Sequence, residues 1–421
     1  MIFYYLLVVL MPFTNPPYIS RVVSGEIAFK LLGAICALYA CAYLLLQGRL
    51  PRYFRARQAR WFLLLYVIAC LSYLFLGLAQ NILLSPFMVY SSFLLLLFVT
   101  LSIVDSLARL KWVLFSANAA LALGSVRVIM EWLQFRSVYA GYRAGMSVGD
   151  SNYFATSAVL CLPFAFLMVL NAEEQWEKLF FAGCLGISLL GVTVCASRGG
   201  FLGLTAASLF LVARSANRIR NWILISVVVL PLALFLPISP LQRLLHPSRS
   251  DNEAKQARLD AWQAGMEMIR THPWIGVGLG NFKPLMPRFA DPHSRIDTIA
   301  HNTYLEVAAE LGLPTLLVFL AIPFFSYRSL ERVIKRKRRP GREFPYYAAL
   351  GLQAGLVGYL VGAFFLSAEY QKLFWLVIML SMCLPYLRPV VAAGHFEALS
   401  MADDPLFESR GEYEILHSGH P

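Results

Sequence analysis

Residues 153–170, YFATSAVLCLPFAFLMVL, are eighteen consecutive positions without a charged side chain. A helix rises about 1.5 Å per residue, so about 20 apolar residues cross the hydrocarbon core of a bilayer, which is ~30 Å thick. This run therefore predicts a membrane-spanning helix. The whole chain has the same character, because 58% of its 421 residues are hydrophobic, 14% are charged, and the mean hydropathy is +0.62. Such a composition is typical of a polytopic membrane protein.

Eleven further apolar runs resemble this one, so the sequence predicts an all-α polytopic membrane protein with about twelve transmembrane helices. The first run is short, but the start of the chain lacks the basic region and the cleavage site of a signal peptide, so we interpret it as a span. The predicted spans are 2–13, 26–46, 61–79, 86–103, 111–132, 151–170, 179–196, 200–213, 222–240, 304–325, 347–367 and 371–388.

Positive charge is unevenly shared between the two sides of this predicted bundle. With the amino terminus in the cytoplasm, nineteen Lys and Arg residues fall in the inner loops and four in the short outer loops. Short loops rich in Lys and Arg stay in the cytoplasm, so both termini are predicted to be cytoplasmic. The four outer residues are Arg21, Arg136, Arg143 and Arg198.

The net charge of +12 does not require a nucleic-acid partner, because basic residues of membrane proteins usually mark cytoplasmic loops. The densest run, KRKRRPGR at 335–342, is interpreted as a solvated loop beside anionic lipid rather than as a nucleic-acid patch. All seven cysteines lie in apolar stretches, which predicts neither a disulfide framework nor a thiolate metal site.

One long polar stretch interrupts the alternation of spans and short loops. Residues 1–240 are predicted to hold the first nine spans, 241–303 an outer segment that contains helices, 304–388 the last three spans, and 389–421 a disordered cytoplasmic tail. We expect the chemistry in the outer segment, because it is the large polar part of the outer face.

The outer segment contains one clear predicted helix, from about 250 to 272. Ser250 with Glu253 forms a capping-box pattern, and Pro273 marks the stop. Arg258 either snorkels at the interface or points at whatever the helix covers. An apolar stripe predicts that the helix lies against the membrane domain or at the interface. The stripe consists of Leu259, Trp262, Met266 and Ile269.

Three alternating glycines follow this helix, at Gly276, Gly278 and Gly280. Glycine lets backbone N–H groups approach an anion closely, so a phosphate-binding nest is one interpretation. Tight turns packed against the bilayer are the other interpretation, and they explain the pattern at least as well.

Two further arginines lie at predicted outer helix ends. Arg198 has almost no loop around it, so its charge must lie at the membrane boundary, where such groups usually face a functional cavity. Arg143 and Asn152 share this face. Asp150 or Ser151 is expected to cap the helix that follows.

Charged residues inside predicted spans need partners. Arg127 is expected to pair with Glu131, one helical turn later. Glu306 and Glu310 lie on one face of the tenth predicted span, where a buried carboxylate must pair with a basic group or be protonated. Glu306 could also orient a neighbouring group in a site.

His301 stands where the outer segment re-enters the membrane, in AHNTYLEVAAELGLPT at 300–315. An imidazole with an ordinary pKa of ~6.5 is suited to take a proton from a hydroxyl near neutral pH. Asn302 can fix orientation by hydrogen bonding. For a histidine taken alone, a satisfied structural residue is the better interpretation, and the neighbouring motifs change that balance.

Four motifs occur in order from roughly Asp150 to Thr315: GDSNYFA, SRGGFLG, RLDAWQAGMEMIRTHPWIGVGLGNF and AHNTYLEVAAELGLPT. Together they resemble the bacterial O-antigen ligase and polymerase superfamily. One departure is visible. Where the ligases often have Gly-x-x-Gly after the histidine segment, this chain has Gly312-Leu-Pro-Thr315.

The resemblance implies a GT-C-like glycosyltransferase of the bacterial inner membrane with a periplasmic active site. Its donor would be a polysaccharide on undecaprenyl pyrophosphate, its acceptor the lipid A core of lipopolysaccharide, and membrane lipids would surround it. His301 would be the general base of an inverting transfer. The implied substrate-binding residues are Arg198, Arg258, Asn302, Arg143 and Asn152.

No cofactor or metal is expected. A pyrophosphate leaving group needs positive charge, which either a divalent cation or arginines can supply. The outer face has no Asp-x-Asp, and the histidines of the outer segment fit no metal-ligand spacing. The arginines are therefore the predicted cations.

Other functions remain compatible with these patterns. An O-antigen polymerase or a protein O-oligosaccharyltransferase of the same superfamily would handle the donor alike. The compact outer segment and short tail fit a ligase better than the protein-modifying members. A transporter or lipid flippase is the alternative from a different class, because twelve spans are common among transporters. The chain shows no internal repeat of the kind that transporters tend to carry.

Overall fold

The computed structural model describes residues 1–13, 25–47, 52–77, 86–138, 142–145, 148, 150–214, 219, 222, 249–290, 298–336 and 343–387. The regular elements of these residues are α-helices and short 3-10 helices, without a strand, as the composition predicts. The α-helices are α1 Ile2–Leu10, α2 Gly25–Gln47, α3 Arg57–Leu76, α4 Pro86–Ile103, α5 Leu107–Phe135, α6 Ser151–Asn171, α7 Gln175–Val194, α8 Arg198–Arg214, α9 Arg249–Thr271, α10 Phe282–Phe289, α11 Thr303–Leu311, α12 Leu313–Lys335, α13 Glu343–Gly362 and α14 Lys372–Cys383.

Eight of the described helices, α2 to α7, α12 and α13, are long and apolar enough to cross a membrane. This confirms a multi-pass α-helical membrane protein. Shorter apolar helices occupy Ile2–Phe13 and Lys372–Tyr386, and α8 has 17 residues. The predicted span 222–240 and the predicted tail 389–421 lie outside the described residues. The total of twelve spans therefore stays a prediction.

The predicted span 304–325 is wrong as a single helix. The chain breaks at Gly312, which separates α11 from α12, and the apolar helix long enough to cross begins at Leu313. Gly312 has a φ of +85°, and a Cβ added there would lie 2.3 Å from the Trp274 carbonyl oxygen. Only glycine combines that backbone conformation with such a close approach.

The helix α8 packs closely against α6 and α13 through small residues. A Cβ added at Gly200 would lie 2.7 Å from the Cβ of Ala155 in α6, and one added at Gly203 would lie 2.7 Å from the Gly358 oxygen in α13. Small residues let helix backbones approach, which is the usual basis of helix packing in membranes. The SRGGFLG motif thus places the start of α8 directly against two neighbouring helices.

Three ion pairs of the long helices lie at one end of the bundle. Arg109 pairs with Asp105 at 2.7 Å, Lys111 with Glu177, and Arg214 with Glu331. The opposite end carries the start of α6, the turn between α7 and α8, residues 298–303 and residues 366–371. Hydrogen bonds join these segments to one another, including Thr303 N to Leu366 O and Gln371 Nε2 to Tyr153 O.

The helices α9, α10 and α11 form a small core of their own beside the long helices. In this small core, Ala261, Ala264 and Met268 form the buried face of α9 and pack with Phe282 and Met286 of α10. The predicted stripe is divided: Trp262 and Ile269 pack against the protein, whereas Leu259 is 41% and Met266 60% exposed, so an interfacial position for these two residues stays a prediction. Two alanines fit on the buried face because α9 packs closely there: a Cβ added at Gly265 would lie 3.0 Å from Leu305 and Phe282 side-chain atoms.

Candidate active site

Hydrogen bonds hold the backbone around His301 on both sides. Before it, Trp262 Nε1 of α9 donates to the Ala300 oxygen at 2.9 Å. After it, the Asn302 side chain caps α11 by accepting from the N–H groups of Tyr304 and Leu305, at 3.0 and 3.1 Å. Thr303 N then donates to Leu366 O at 3.0 Å. The capping role of Asn302 is fixed by this geometry, whereas its contact with a substrate stays a prediction.

His301 itself has a φ of +48°, in the left-handed region that non-glycine residues rarely adopt. Such a conformation costs on the order of 1–3 kcal/mol and persists where the surroundings over-determine it. The bonds to Ala300 and Thr303 on either side provide that constraint. The backbone at His301 is therefore rigidly held, at the point where the outer segment meets α11.

The His301 ring is largely buried and lies near a positive charge. Burial, and then the nearby Arg258 guanidinium, lower the pKa of His301 from 6.5 to about 4. Its Nδ1 atom is buried, and no group in the described parts of the chain forms a hydrogen bond with it. His301 is thus neutral at physiological pH, as a proton acceptor has to be.

The segments that carry Arg258 and Arg198 both pack on one short element, the 3-10 helix Ala363–Phe365 that follows α13. On one side, Trp262, one turn after Arg258, packs edge-on against Phe364 with ring centroids 5.7 Å apart. On the other, Gly199 approaches Phe365 so closely that an added Cβ would lie 3.1 Å from the Phe365 Cβ. The segments that carry the two arginines are far apart in sequence, and both contact this element, which leads into the Leu366 oxygen bonded to Thr303 N.

Arg143 and Asn152 are in direct contact with each other. Arg143 Nη2 donates to Asn152 Oδ1 and to Ser151 Oγ, both at 2.9 Å, while its Nε donates to Cys195 O at 3.3 Å. Arg143 therefore ties the start of α6 to the turn that leads into Arg198. The expected cap of α6 is confirmed, because Asp150 Oδ1 accepts from Tyr153 N at 2.8 Å.

The predicted Arg127–Glu131 pair is wrong. Glu131 Oε1 accepts from Tyr142 Oη at 2.7 Å and from Gly145 N at 3.0 Å, while Arg127 is exposed on the outside of α5. A buried carboxylate gains more from a backbone N–H and a hydroxyl that are buried with it than from an exposed guanidinium. Glu131 thus anchors the short segment that carries Arg143.

The segment 366–371 is a part of the site that the sequence motifs missed. The buried Glu306 carboxylate accepts from Ser367 Oγ and also interacts with the Ala300 backbone. Thr303 Oγ1 donates to Leu366 O at 2.7 Å and accepts from Ala368 N at 2.8 Å. Glu306 therefore orients the residue next to His301, as one of its predicted roles required. The only sequence signal for this segment was the acidic Glu369 between two predicted spans.

The glycine-rich turn is structural, and the phosphate-nest interpretation is wrong for its N–H groups. Gly276, Val277 and Gly278 donate to the backbone oxygens of His272, Ala309 and Glu310, and Leu279 N donates to Ser72 Oγ. Gly280 N and Phe282 N donate to the two Glu310 carboxylate oxygens at 2.8 and 3.0 Å. These donors are all used within the protein, so they are not available to an anion.

Replacing Glu310 with glutamine should loosen this turn. The amide has one acceptor oxygen in place of two, so one buried N–H loses its partner, at a cost of about 1–3 kcal/mol. We expect faster amide hydrogen exchange at 279–283 and a lower midpoint of thermal unfolding. Glu267→Gln is the matched control, because Glu267 forms a surface pair with Arg270, which is 78% exposed, and it should leave both measurements unchanged. Unchanged exchange in Glu310→Gln would show that the Glu310 carboxylate does not hold the turn.

Metal ligands do not converge in the described parts of the chain, where no three His, Cys, Asp or Glu side chains could hold an ion together. The metal-independent mechanism stays a prediction, which rests on the arginines.

Part of the chain matches a known family. Residues 183–320 match the profile of a family described as O-Antigen ligase. The match includes Arg198, Arg258, His301 and Asn302, and it confirms the resemblance that the motifs indicated. It supports an enzyme of the O-antigen ligase and polymerase superfamily, a glycosyltransferase-like protein of lipopolysaccharide biosynthesis. The search of curated proteins gives no match.

Proposed function

With the O-antigen ligase family as the premise, we propose that this protein transfers an undecaprenyl-pyrophosphate-linked polysaccharide to the lipid A core, on the periplasmic side of the inner membrane. The observation that carries the proposal is the neutral, constrained His301 beside Arg258, in the same end of the bundle as Arg198. A base and two cations are what a metal-independent glycosyl transfer from a pyrophosphate requires.

The proposed reaction is a single in-line displacement. His301 takes the proton of an acceptor hydroxyl, and we assign this role to Nε2 because Nδ1 is enclosed. The oxygen attacks the anomeric carbon while the bond from that carbon to the pyrophosphate oxygen breaks. The anomeric centre is inverted, and undecaprenyl pyrophosphate leaves with the electron pair of the broken bond.

Arg198 and Arg258 bind the pyrophosphate in this proposal. A guanidinium pairs with phosphate oxygens in a planar, two-pronged geometry, and it stabilises the charge that grows on the leaving group. Arg198 is the first residue of α8, where the helix dipole adds to its positive charge. Arg143 acts by holding the turn before Arg198, and Glu306 by holding Ala300 next to the base.

Donor binding also strengthens the base. Arg258 disfavours the imidazolium of the empty enzyme. A bound pyrophosphate places negative charge beside Arg258 and offsets that effect, so the pKa of His301 rises when the donor is present. The histidine thus becomes a better proton acceptor when there is a glycosyl group to transfer.

The acid side of the pH profile of kcat/KM should report the pKa of His301 and its dependence on Arg258. His301 must be neutral to act, and its pKa in the free enzyme is about 4, so activity should persist well below pH 6.5. Arg258→Gln removes a positive charge, raises the pKa of His301 and should move the acid limb of the residual activity to higher pH. His272→Gln, at an exposed histidine of the same segment, should leave the limb in place. A limb near pH 6.5 in both the wild type and Arg258→Gln would contradict the proposal.

Reconstitution distinguishes ligation from its alternatives. The purified protein in proteoliposomes receives a lipid-linked polysaccharide and a lipid A core acceptor, and the products are separated by gel electrophoresis. We expect polysaccharide covalently attached to the core, formed only when both substrates are present. Longer lipid-linked chains without an acceptor would identify a polymerase, and movement of the donor across the bilayer without a new glycosidic bond would identify a transporter.

A further inference from the structure

Two large apolar side chains stand exposed on the turn between α9 and α10. Trp274 is 76% and Ile275 62% exposed. They lie next to the start of α12, where Leu313 is 45% and Leu317 70% exposed. We call these four residues the turn patch. Contiguous apolar surface of this kind marks a site of interaction with a membrane or a partner.

The turn patch is held rigidly against α12. Leu313 N donates to Pro273 O at 2.9 Å, and Val277 N donates to Ala309 O at 2.9 Å. At Gly276, where φ is +68°, an added Cβ would lie 2.3 Å from the Glu310 carbonyl carbon. The exposure of Trp274 and Ile275 therefore belongs to a fixed turn.

The exposed side of α12 identifies what the patch meets. Leu313, Leu317, Leu320 and Phe324 recur at helical spacing and are all at least 36% exposed, on a helix long enough to cross a membrane. In a membrane-spanning helix such a stripe faces lipid. Trp274 and Ile275 extend this exposed apolar stripe past the first residue of the helix.

We propose that the turn patch inserts into the outer lipid interface and anchors the outer segment beside α12. Tryptophan suits this position, because its ring is apolar while its N–H can reach water or headgroups. The anchor would also fix the position of α9 relative to the bilayer, because α9 ends at Thr271, directly before the turn, and carries Arg258. The inference rests on the exposed surface and on α12, and it is independent of the proposed reaction.

Fluorescence quenching in nanodiscs tests the depth of Trp274. The full chain and Trp274→Phe are compared, so that the difference spectrum isolates Trp274 from the other seven tryptophans. The lipids carry bromine near the headgroup end or near the methyl end of the acyl chain, and acrylamide is the aqueous quencher. Trp375→Phe provides a fully buried reference, since Trp375 is 0% exposed.

We expect the Trp274 signal to lose most of its intensity with bromine near the headgroups, less with bromine near the methyl end, and little with acrylamide. Strong acrylamide quenching without a bromine effect would place Trp274 in water and overturn the proposal. A signal that resists all three quenchers, as the Trp375 signal should, would show that protein covers the patch and would also overturn it. Neither result would bear on glycosyl transfer.

Discussion

Replacing His301 with asparagine is expected to lower the rate of polysaccharide transfer by about 10²–10⁴-fold, which is what a positioned general base typically contributes. Asparagine is the preferred variant because it tolerates the left-handed backbone that His301 adopts, at φ +48°. The loss should therefore reflect the missing base rather than a displaced segment. Binding of the lipid-linked donor should be largely retained, so the effect should appear in kcat.

Two controls separate this prediction from a folding defect. His272→Asn changes an exposed histidine of the same segment and should keep wild-type activity. In cells, a deletion strain complemented with wild type should show a long-chain lipopolysaccharide ladder. His301→Asn or His301→Ala should leave bare core and accumulate carrier-linked polymer at a normal protein level. A full ladder with either variant would remove His301 from the proposed mechanism.

The long helices were predictable because a bilayer restricts the backbone conformations that a chain can adopt. Every backbone polar group in hydrocarbon must bond internally, so long apolar runs become helices, and the predicted span 151–170 corresponds to Ser151–Asn171. The break at Gly312 was not visible in the hydropathy, since apolar residues continue on both sides of it. Its cause is the Trp274 carbonyl packed against Gly312, 38 positions away in the sequence.

The candidate site was predictable where residues belong to local motifs and not where contacts are long-range. His301, Arg198 and Arg258 were proposed as site residues from motif order, and that assignment stays a prediction. The partner of Glu306 is Ser367, 61 positions away, and neither periodicity nor local spacing encodes such a pair. Local spacing also missed part of the buried face of α9, because close packing places Ala261 and Ala264 there and leaves Met266 exposed.

The second large effect is expected at Arg198. Removing a group that stabilises developing charge typically costs about 10²–10³-fold in kcat, so Arg198→Gln should lose activity on that scale. Arg198→Lys should recover part of it, because lysine keeps the charge but lacks the planar fork of donors that matches a phosphate. Arg136→Gln is the control, since Arg136 is an exposed arginine that follows α5 at the same end of the bundle, and it should retain normal turnover.

The arginine assignment also predicts how the reaction responds to chelators. With guanidinium groups as the cations, the wild-type rate should be unchanged in excess chelator, and added magnesium should not rescue Arg198→Gln. The physical reason is that the leaving pyrophosphate needs positive charge beside it, so removing the group that supplies this charge lowers the rate. If the wild type stops in chelator and recovers with magnesium or manganese, a metal supplies that charge. If Arg198→Gln transfers polysaccharide at the wild-type rate, Arg198 does not hold the leaving group.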